Sequence, residues 1–221
     1  MSESRIPRLL EPAPDFDAKS THGAIRLSDY TSKGKWVMLF SHPSDFTPVC
    51  STEFIEFARR NDEFELLNVQ LIGVSIDSVP SHIAWVRDLE QMAGVKIKFP
   101  LIADLNQKVS QAYGLVHEAV SDTSTVRAVF AIDPKGNIRA LLYYPQQLGR
   151  SVDELLRIFQ ALQTVDANGV SCPVDWVPGD PVVMPAPGTV EDAAKRTDTG
   201  VAGLDVMSWY LAKKDLAIAA K

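Results

Sequence analysis

The chain of 221 residues holds only two cysteines, Cys50 and Cys172, and Cys50 sits in the surroundings of a reactive thiol. Its segment reads Phe40-Ser41-His42-Pro43-Ser44-Asp45-Phe46-Thr47-Pro48-Val49-Cys50-Ser51-Thr52-Glu53-Phe54. An apolar run from Trp36 to Phe40 precedes it and reads as a buried strand. Beyond it, Phe54, Ile55, Phe57 and Ala58 are set against Glu53, Glu56, Arg59 and Arg60 at helical spacing. Pro48 suits a first helical turn, where its missing N–H has no intrahelical partner to lose. Cys50 therefore falls in or near that turn, where free N–H groups and the positive end of the helix dipole favour an anion. A thiol so placed ionises more readily than an ordinary one, and the thiolate is the nucleophile. The plain alternative is a small buried hydrophobe; a strand end, a proline-rich turn and a helix start meeting at one cysteine favour the chemical role.

Pro43, Thr47 and Cys50 spell P-x-x-x-T-x-x-C, and the run from Phe46 to Glu53 extends the match, so the chain resembles the peroxiredoxins. The resemblance covers the chain from Pro14 to Pro187, with a C-terminal extension beyond. It implies a thiol-specific peroxidase in antioxidant defence and redox homeostasis, without cofactor or metal. The Cys50 thiolate attacks the O–O bond of hydrogen peroxide or an organic hydroperoxide, leaving Cys50 sulfenic acid and water or an alcohol. Thr47, one turn upstream, offers a hydroxyl to the peroxide or a cap to the helix. Pro43 shields the pocket or simply ends the strand. Arg127 lies inside the apolar segment Ser124-Thr125-Val126-Arg127-Ala128-Val129-Phe130, where a charge needs a partner. In the family an arginine of the matching segment lies beside the reactive cysteine, and that role is carried to Arg127. Arg150, in Gln147-Leu148-Gly149-Arg150-Ser151, resembles a second arginine near that site in part of the family; arginines near caps are otherwise usually solvated. In the one-cysteine branch a histidine at the place of His42 lies close to the sulfur, against the plain reading of a structural histidine. Glu53 favours the helix dipole, or fixes Thr47 or an arginine.

The regenerating step has two readings. The C-terminal extension, Phe40-Ser41-His42-Pro43 and Pro173-Val174-Asp175-Trp176 look like the one-cysteine, peroxiredoxin 6-type branch, which implies an external thiol reductant of thioredoxin, glutathione or small-thiol type. Val170-Ser171-Cys172-Pro173, followed by Trp176, Pro178 and Gly179, also looks like a resolving-cysteine region, so Cys172 is either a resolving thiol or an inert one. The Gly-Gly-Leu-Gly element of sensitive two-cysteine members is replaced by Gln91-Met92-Ala93-Gly94-Val95. Lys35 stands where some one-cysteine members carry a lipase-like serine, which argues against phospholipase activity by that route. A homodimer is expected, or a higher ring such as a decamer.

The formal net charge of −6 and the lack of a basic run argue against a nucleic-acid partner. No apolar stretch approaches the roughly 20 residues of a membrane span, so no membrane partner is expected. Met1-Ser2-Glu3-Ser4-Arg5 has no apolar signal-peptide core, and two cysteines without C-x-x-C make neither a secreted disulfide scaffold nor a zinc site, so a cytoplasmic location is expected. The missing C-x-x-C also argues against a thiol-disulfide oxidoreductase. A function of another class, an oligomeric holdase chaperone with a redox trigger, is separable by Cys50→Ser, which stops a peroxidase and spares a constitutive holdase.

The positioning elements follow from pattern. Phe16 and Ala18, then Ile25 and Leu27, alternate about a His22-Gly23 turn as a hairpin, and Ser28-Asp29 offers a cap for a short turn. Val69 to Ile76 is a second buried strand. Pro80 to Ala93 predicts a helix with Ile83, Val86, Leu89 and Met92 as its stripe and Gly94 as its stop. Phe99 to Ala103 predicts a short strand, and Asn106 to Tyr113 a short helix stopped by Gly114. Val126 to Ile132 and Ile138 to Tyr144 form a hairpin about Asp133-Pro134-Lys135-Gly136-Asn137. Ser151, with Glu154, opens a helix buried through Leu155, Ile158, Phe159 and Leu162. The order implies an α/β fold with a central sheet covered on both faces, the thioredoxin-like arrangement that the resemblance also implies. Residues 1–168 are expected to form this domain. Residues 169–221, crowded with prolines, are expected to form an extended arm rather than a second core, with short helices at Thr189 to Lys195 and Met207 to Leu216 and with Trp176, Trp209 and Tyr210 packing on a partner chain.

Overall fold

The computed structural model describes residues 6–198 and 202–216. The chain forms two compact units, Met1–Val152 and Asp153–Lys221. In the first, the strands are β1 (Asp17–Ser20), β2 (Gly23–Arg26), β3 (Trp36–Ser41), β4 (Val69–Ser75), β5 (Leu101–Ala103), β6 (Arg127–Ile132) and β7 (Ile138–Tyr144). The helices are α1 (Ser28–Thr31), α2 (Pro48–Arg59), α3 (Asn61–Leu66), α4 (Val79–Ala93) and α5 (Lys108–Ala112). The seven strands make one mixed sheet in the order β2-β1-β5-β4-β3-β6-β7. β3, β4 and β5 run parallel, while β6 lies antiparallel to β3 and β7 antiparallel to β6. This is the expected thioredoxin-like arrangement, a central mixed sheet flanked by helices.

β3 and β6 are buried at every position, so both of their faces are covered. Alternation sorts the side chains. Val37 and Leu39 join Ile72, Val74, Ile102, Ala128, Phe130 and Ile132 in one cluster with Phe16 and Tyr113. Phe40 belongs to the other face and meets Phe54, Phe57 and Phe99, with ring centroids 5.4, 4.8 and 5.7 Å away. Those rings seat α2 on the sheet, so its first turn lies just beyond the end of β3.

Two local expectations are corrected. Ser28 does not cap α1; the carboxylate of Asp15 accepts the Ser28 N–H at 3.2 Å instead. In α4, Ile83 and Met92 are 44% and 64% exposed, and the buried residues are His82, Trp85 and Leu89. Polar anchors turn the helix: His82 bonds to Asp45 and to the Ile102 carbonyl, and the Trp85 indole N–H donates to the Ser51 hydroxyl. Gly94 closes the helix at φ 65°, as expected; at the other end the helix begins at Val79, and the Ser78 hydroxyl accepts the Ser81 N–H.

The second unit holds α6 (Val152–Asn168, whose first residue belongs to the first unit), β8 (Val182–Val183), α7 (Val190–Asp198), β9 (Asp205–Val206) and β10 (Ala212–Lys214). In α6, Leu155, Leu156 and Phe159 are buried, while Ile158 and Leu162 are only half-buried. Thr189 caps α7, accepting the Asp192 N–H at 3.1 Å. The segment is not merely an extended arm: Val170, Trp176 and Val182 form a small core of their own with Ala161, Cys172, Met184 and Leu216. Met207 to Leu216 is not a helix. β10 pairs with both β8 and β9, and Trp209 and Tyr210, half exposed, supply no apolar helical face. Among the described residues no helix is long and apolar enough to cross a membrane.

Gly73 marks where β4 passes beneath the aromatic layer. A Cβ there would stand 3.3 Å from Phe54, 3.4 Å from Leu101 and 3.4 Å from Phe40. These are packed rings and a buried leucine with little room to yield, so Gly73→Ala is expected to destabilise the fold by about 1–3 kcal/mol, measured by urea denaturation.

Candidate active site

β3 delivers the chain to Ser41, and after six intervening residues α2 begins at Pro48. Phe46 turns the connection through the left-handed region at φ 55°, a conformation that non-glycine residues adopt rarely. Thr47 precedes the helix in extended conformation. Its hydroxyl makes no cap; it donates to the Ser44 carbonyl at 2.9 Å, which leaves its oxygen lone pairs for another partner. Cys50 is the third residue of the helix, in its first turn as expected from the sequence; it is fully buried, and Pro43 is buried beside the turn.

Arg127 opens β6 on the face opposite Ala128 and Phe130, the face toward α2. Its Nη1 donates to Cys50 Sγ at 3.2 Å and to Glu53 Oε2 at 2.8 Å, and its Nε donates to the Gln146 carbonyl at 2.9 Å. Nη2 makes no hydrogen bond to any described residue. Arg150 is buried, not solvated. Its Nη2 and Nε meet Glu53 at 2.6 and 2.9 Å, its backbone N–H donates to Glu53 Oε1 at 2.9 Å, and Nη1 donates to the carbonyls of Ser41 and Ala128. Its guanidinium also lies over the rings of Phe40 and Phe57, 5.3 and 5.6 Å from their centroids. Glu53 therefore fixes two arginines and does not reach Thr47. Burial penalises its charge, but Arg150 and then Arg127 outweigh that and hold its carboxyl below the usual carboxylate range. Two guanidiniums against one carboxylate leave one positive charge beside a buried sulfur.

His42 has no hydrogen bond to Cys50; its partner is Asp45, which no sequence pattern singles out. His42 Nε2 lies 3.0 Å from Asp45 Oδ1, and His82 Nδ1 lies 2.9 Å from both Asp45 oxygens. The Ser81 hydroxyl donates to Asp45 Oδ2 at 2.8 Å, and His82 Nε2 bonds to the Ile102 carbonyl at 3.1 Å. The His42 ring packs edge-on to Phe54 and stacks on Trp85. Burial pushes the His42 imidazole below its ordinary range. Burial opposes the Asp45 charge too, but the hydrogen bonds of His42 and His82 prevail and hold that carboxyl far below the usual range. The facing atoms of His42, Asp45 and His82 lie within 4.8 Å of one another, the one group of metal-ligand type among the described residues; hydrogen bonds already satisfy the facing atoms. His82 is legible only as the i member of an i, i+3, i+7 face with Trp85 and Leu89, which a purely apolar count overlooks.

Cys172 belongs to the second unit. It is a free, half-buried thiol whose Sγ lies 3.7 Å from the Ala161 carbonyl. Burial raises its pKa and Arg157 only partly offsets this.

Comparison with known proteins shows the family of the chain. Residues 9–141 match the model of the AhpC/TSA family, and residues 161–200 match the C-terminal domain of 1-Cys peroxiredoxin. A peroxiredoxin of Aquifex aeolicus is 50% identical over 219 residues, covering 95% of this chain and 97% of that protein. The structure of a yeast mitochondrial 1-Cys peroxiredoxin, described in terms of thiol resolution by glutathione and thioredoxin systems, superposes with a TM-score of 0.83 at 40% identity, over 96% of this chain and all of that one. A cysteine-to-serine mutant of the peroxiredoxin 6 of Arenicola marina gives a TM-score of 0.83 at 32% identity, over 95% of this chain and 98% of that one.

Removing the Glu53 charge leaves two buried guanidiniums uncompensated, so Glu53→Gln is expected to cost about 3–5 kcal/mol of stability. Because the folded-state pKa of Glu53 is depressed, its contribution is complete above the unfolded value of about 4.3 and disappears as pH falls through the folded value. Denaturation measured from neutral to acid pH should therefore show a steeper loss for the native chain than for Glu53→Gln.

Proposed function

This chain belongs to the AhpC/TSA family of peroxiredoxins, which are thiol-dependent peroxidases, and we propose that it reduces hydrogen peroxide and organic hydroperoxides through Cys50. The observation that carries the assignment is the Arg127 guanidinium hydrogen-bonded to the buried Cys50 sulfur at 3.2 Å. A cation aimed at sulfur in a site closed to water acts at low dielectric, where it counts for most. The thiolate attacks the terminal oxygen of R–O–O–H. An S–O bond forms, the O–O bond breaks, and the electron pair leaves with RO⁻. Sulfur is oxidised by two electrons to Cys50 sulfenic acid, and RO⁻ takes up the proton that the thiol had released, giving an alcohol or water. Arg127 is already tied down by Glu53 and the Gln146 carbonyl, and its unused Nη2 is available to the oxygens as charge develops. Thr47 has spent its hydrogen on the Ser44 carbonyl and acts as an acceptor for the peroxide O–H. Pro43 walls the pocket. Arg150 and Glu53 act through Arg127, by fixing its position.

Cys50 is completely enclosed, so a reducing thiol reaches the sulfenic acid only after the first turn of α2 opens. We assign that reduction to an external thiol of thioredoxin, glutathione or small-molecule type. Cys172 is a poorly ionised thiol packed within its own cluster, which supports an inert role, and the match to a 1-Cys C-terminal domain points the same way. Both cysteines are free, in keeping with a reducing, cytoplasmic setting and a role in antioxidant defence and redox homeostasis. The exposed Trp209 and Tyr210 support a homodimer or a higher ring. The division of labour is then a peroxidase domain over residues 1–168 and a C-terminal extension over 169–221.

After one equivalent of hydrogen peroxide, mass analysis should find dimedone on Cys50 and no disulfide. A Cys50–Cys172 bond would overturn the external-thiol assignment, and peroxide turnover by Cys50→Ser would overturn the whole mechanism. Arg127→Ala should lower the rate constant of Cys50 oxidation by about 10²–10³-fold, the usual loss for a donor aimed at a developing oxyanion.

A further inference from the structure

Among the described residues only two buried side-chain polar atoms lack a hydrogen-bond partner, the Ser110 hydroxyl and His42 Nδ1. An unmatched polar atom in a closed core is unfavourable, and one on a ring packed against the helix that carries Cys50 calls for a functional account. The His42 ring packs on Phe54, which lies one turn beyond Cys50 on the same face of α2. It also stacks on Trp85, whose N–H reaches the neighbouring Ser51.

The surrounding hydrogen bonds determine where the protons are. A backbone carbonyl only accepts, so His82 Nε2, 3.1 Å from the Ile102 oxygen, carries a hydrogen. An ionised carboxylate also only accepts, so His82 Nδ1 and His42 Nε2 both present N–H to Asp45. His82 is then an imidazolium paired with the Asp45 carboxylate, and Ser81 donates to the same carboxylate. With that charge already matched, His42 remains a neutral ring whose hydrogen is on Nε2 and whose lone pair is on Nδ1. The Asp45 backbone N–H is held in turn by Asp77 at 3.0 Å, and Asp77 by the Ser75 hydroxyl at 2.7 Å.

We infer that Asp45 and His82 are positioning residues of the peroxidase site, a buried ion pair that fixes the His42 tautomer and keeps its Nδ1 as an acceptor for a hydroxyl hydrogen in the pocket. The inference rests on the thiol peroxidase reading. The pair also ties α4 to the turn that carries Pro43 and Thr47, because Asp45 lies midway between them. An aspartate that sets the tautomer of a working imidazole is a familiar device in hydrolases; here the carboxylate has its own cation and need not draw a second proton onto the working ring.

The test combines a direct measurement with two substitutions. Two-bond ¹H–¹⁵N spectra of the native protein should show His42 with hydrogen on Nε2 and none on Nδ1. Asp45→Leu removes the acceptor, and stopped-flow tryptophan fluorescence should then show Cys50 oxidation slowed by about 10–100-fold, the scale of losing an orienting partner. Asp45→Asn can still offer its carbonyl oxygen to His42 Nε2 and its amide to a neutral His82, so it should restore most of the rate. A hydrogen on His42 Nδ1 in the native protein would overturn the inference. So would a folded Asp45→Leu protein oxidised at the native rate, or Asp45→Asn failing as badly as Asp45→Leu. If Asp45→Leu does not fold, the native spectrum and Asp45→Asn still decide. A native protein that consumes no peroxide would instead refute the underlying peroxidase reading, while its His42 spectrum would stand independently.

Discussion

The first unit is arranged so that one carboxylate can be shared by two buried guanidiniums. An arginine cannot enter an apolar core without a counter-charge and acceptors for its five N–H groups. Glu53 supplies the charge for both Arg127 and Arg150, and the carbonyls of Ser41, Ala128 and Gln146 supply further acceptors, with Arg127 Nη2 left over. These partners come from the end of β3, the middle of α2, the start of β6 and the loop after β7. Four segments distant in sequence are thereby locked around one point. Sharing also leaves a surplus cation, and that surplus faces the sulfur.

The sheet makes this arrangement possible through parity. In β6, Ala128, Phe130 and Ile132 point into one cluster, which obliges Arg127 to point the other way, toward α2. Phe40 on β3 then does two jobs: it packs the helix through Phe54 and Phe57, and it lies beneath the Arg150 guanidinium. A one-residue slip of β6 would put Arg127 among apolar side chains and leave Glu53 short of a partner. The ion pairs and the hydrophobic pattern therefore specify the same register, a consistency that narrows the competing folds.

Much of this is legible in the amino-acid sequence. The helix start at Pro48, the hairpin about Asp133 to Asn137 and the isolated arginine of β6 are local signals, and local signals survive folding. The partners of long reach are not legible there. Nothing near Glu53 in sequence says that it will hold Arg150, 97 residues away, nor do the spaced apolar residues of α4 reveal that His82 and Trp85 face inward. In that helix specific hydrogen bonds outweigh apolar periodicity, which is why Ile83 and Met92 are left in water. The second unit departs from its sequence pattern for a related reason. Its prolines suggest an arm without a core, yet a single buried tryptophan, whose N–H donates to the Asp180 carbonyl at 3.0 Å, is enough to organise a small cluster. Short strands such as β9 and β10 have too few residues for period-two alternation to be distinguished from noise.

The two buried networks near α2 differ in charge, and the difference suits the chemistry. Around Glu53 the sum is positive; around Asp45, on the proton placement inferred above, His82 offsets the carboxylate and His42 carries no charge. A peroxide needs both kinds of neighbour. Its leaving oxygen gains negative charge and is stabilised by a cation, while its remaining O–H must be accepted by something that does not compete for that charge. Were His42 a cation as well, it would offer a donor where an acceptor is required and would add a second buried positive charge without a counter-ion. Were Arg127 matched one-to-one by its own carboxylate, the sulfur would face a neutral pair and lose its electrostatic partner. On the proposed function and the inference that rests on it, the unequal pairing of two arginines with one glutamate, beside an equal pairing of one histidine with one aspartate, supplies the charge and the lone pair that thiolate attack on an O–O bond requires.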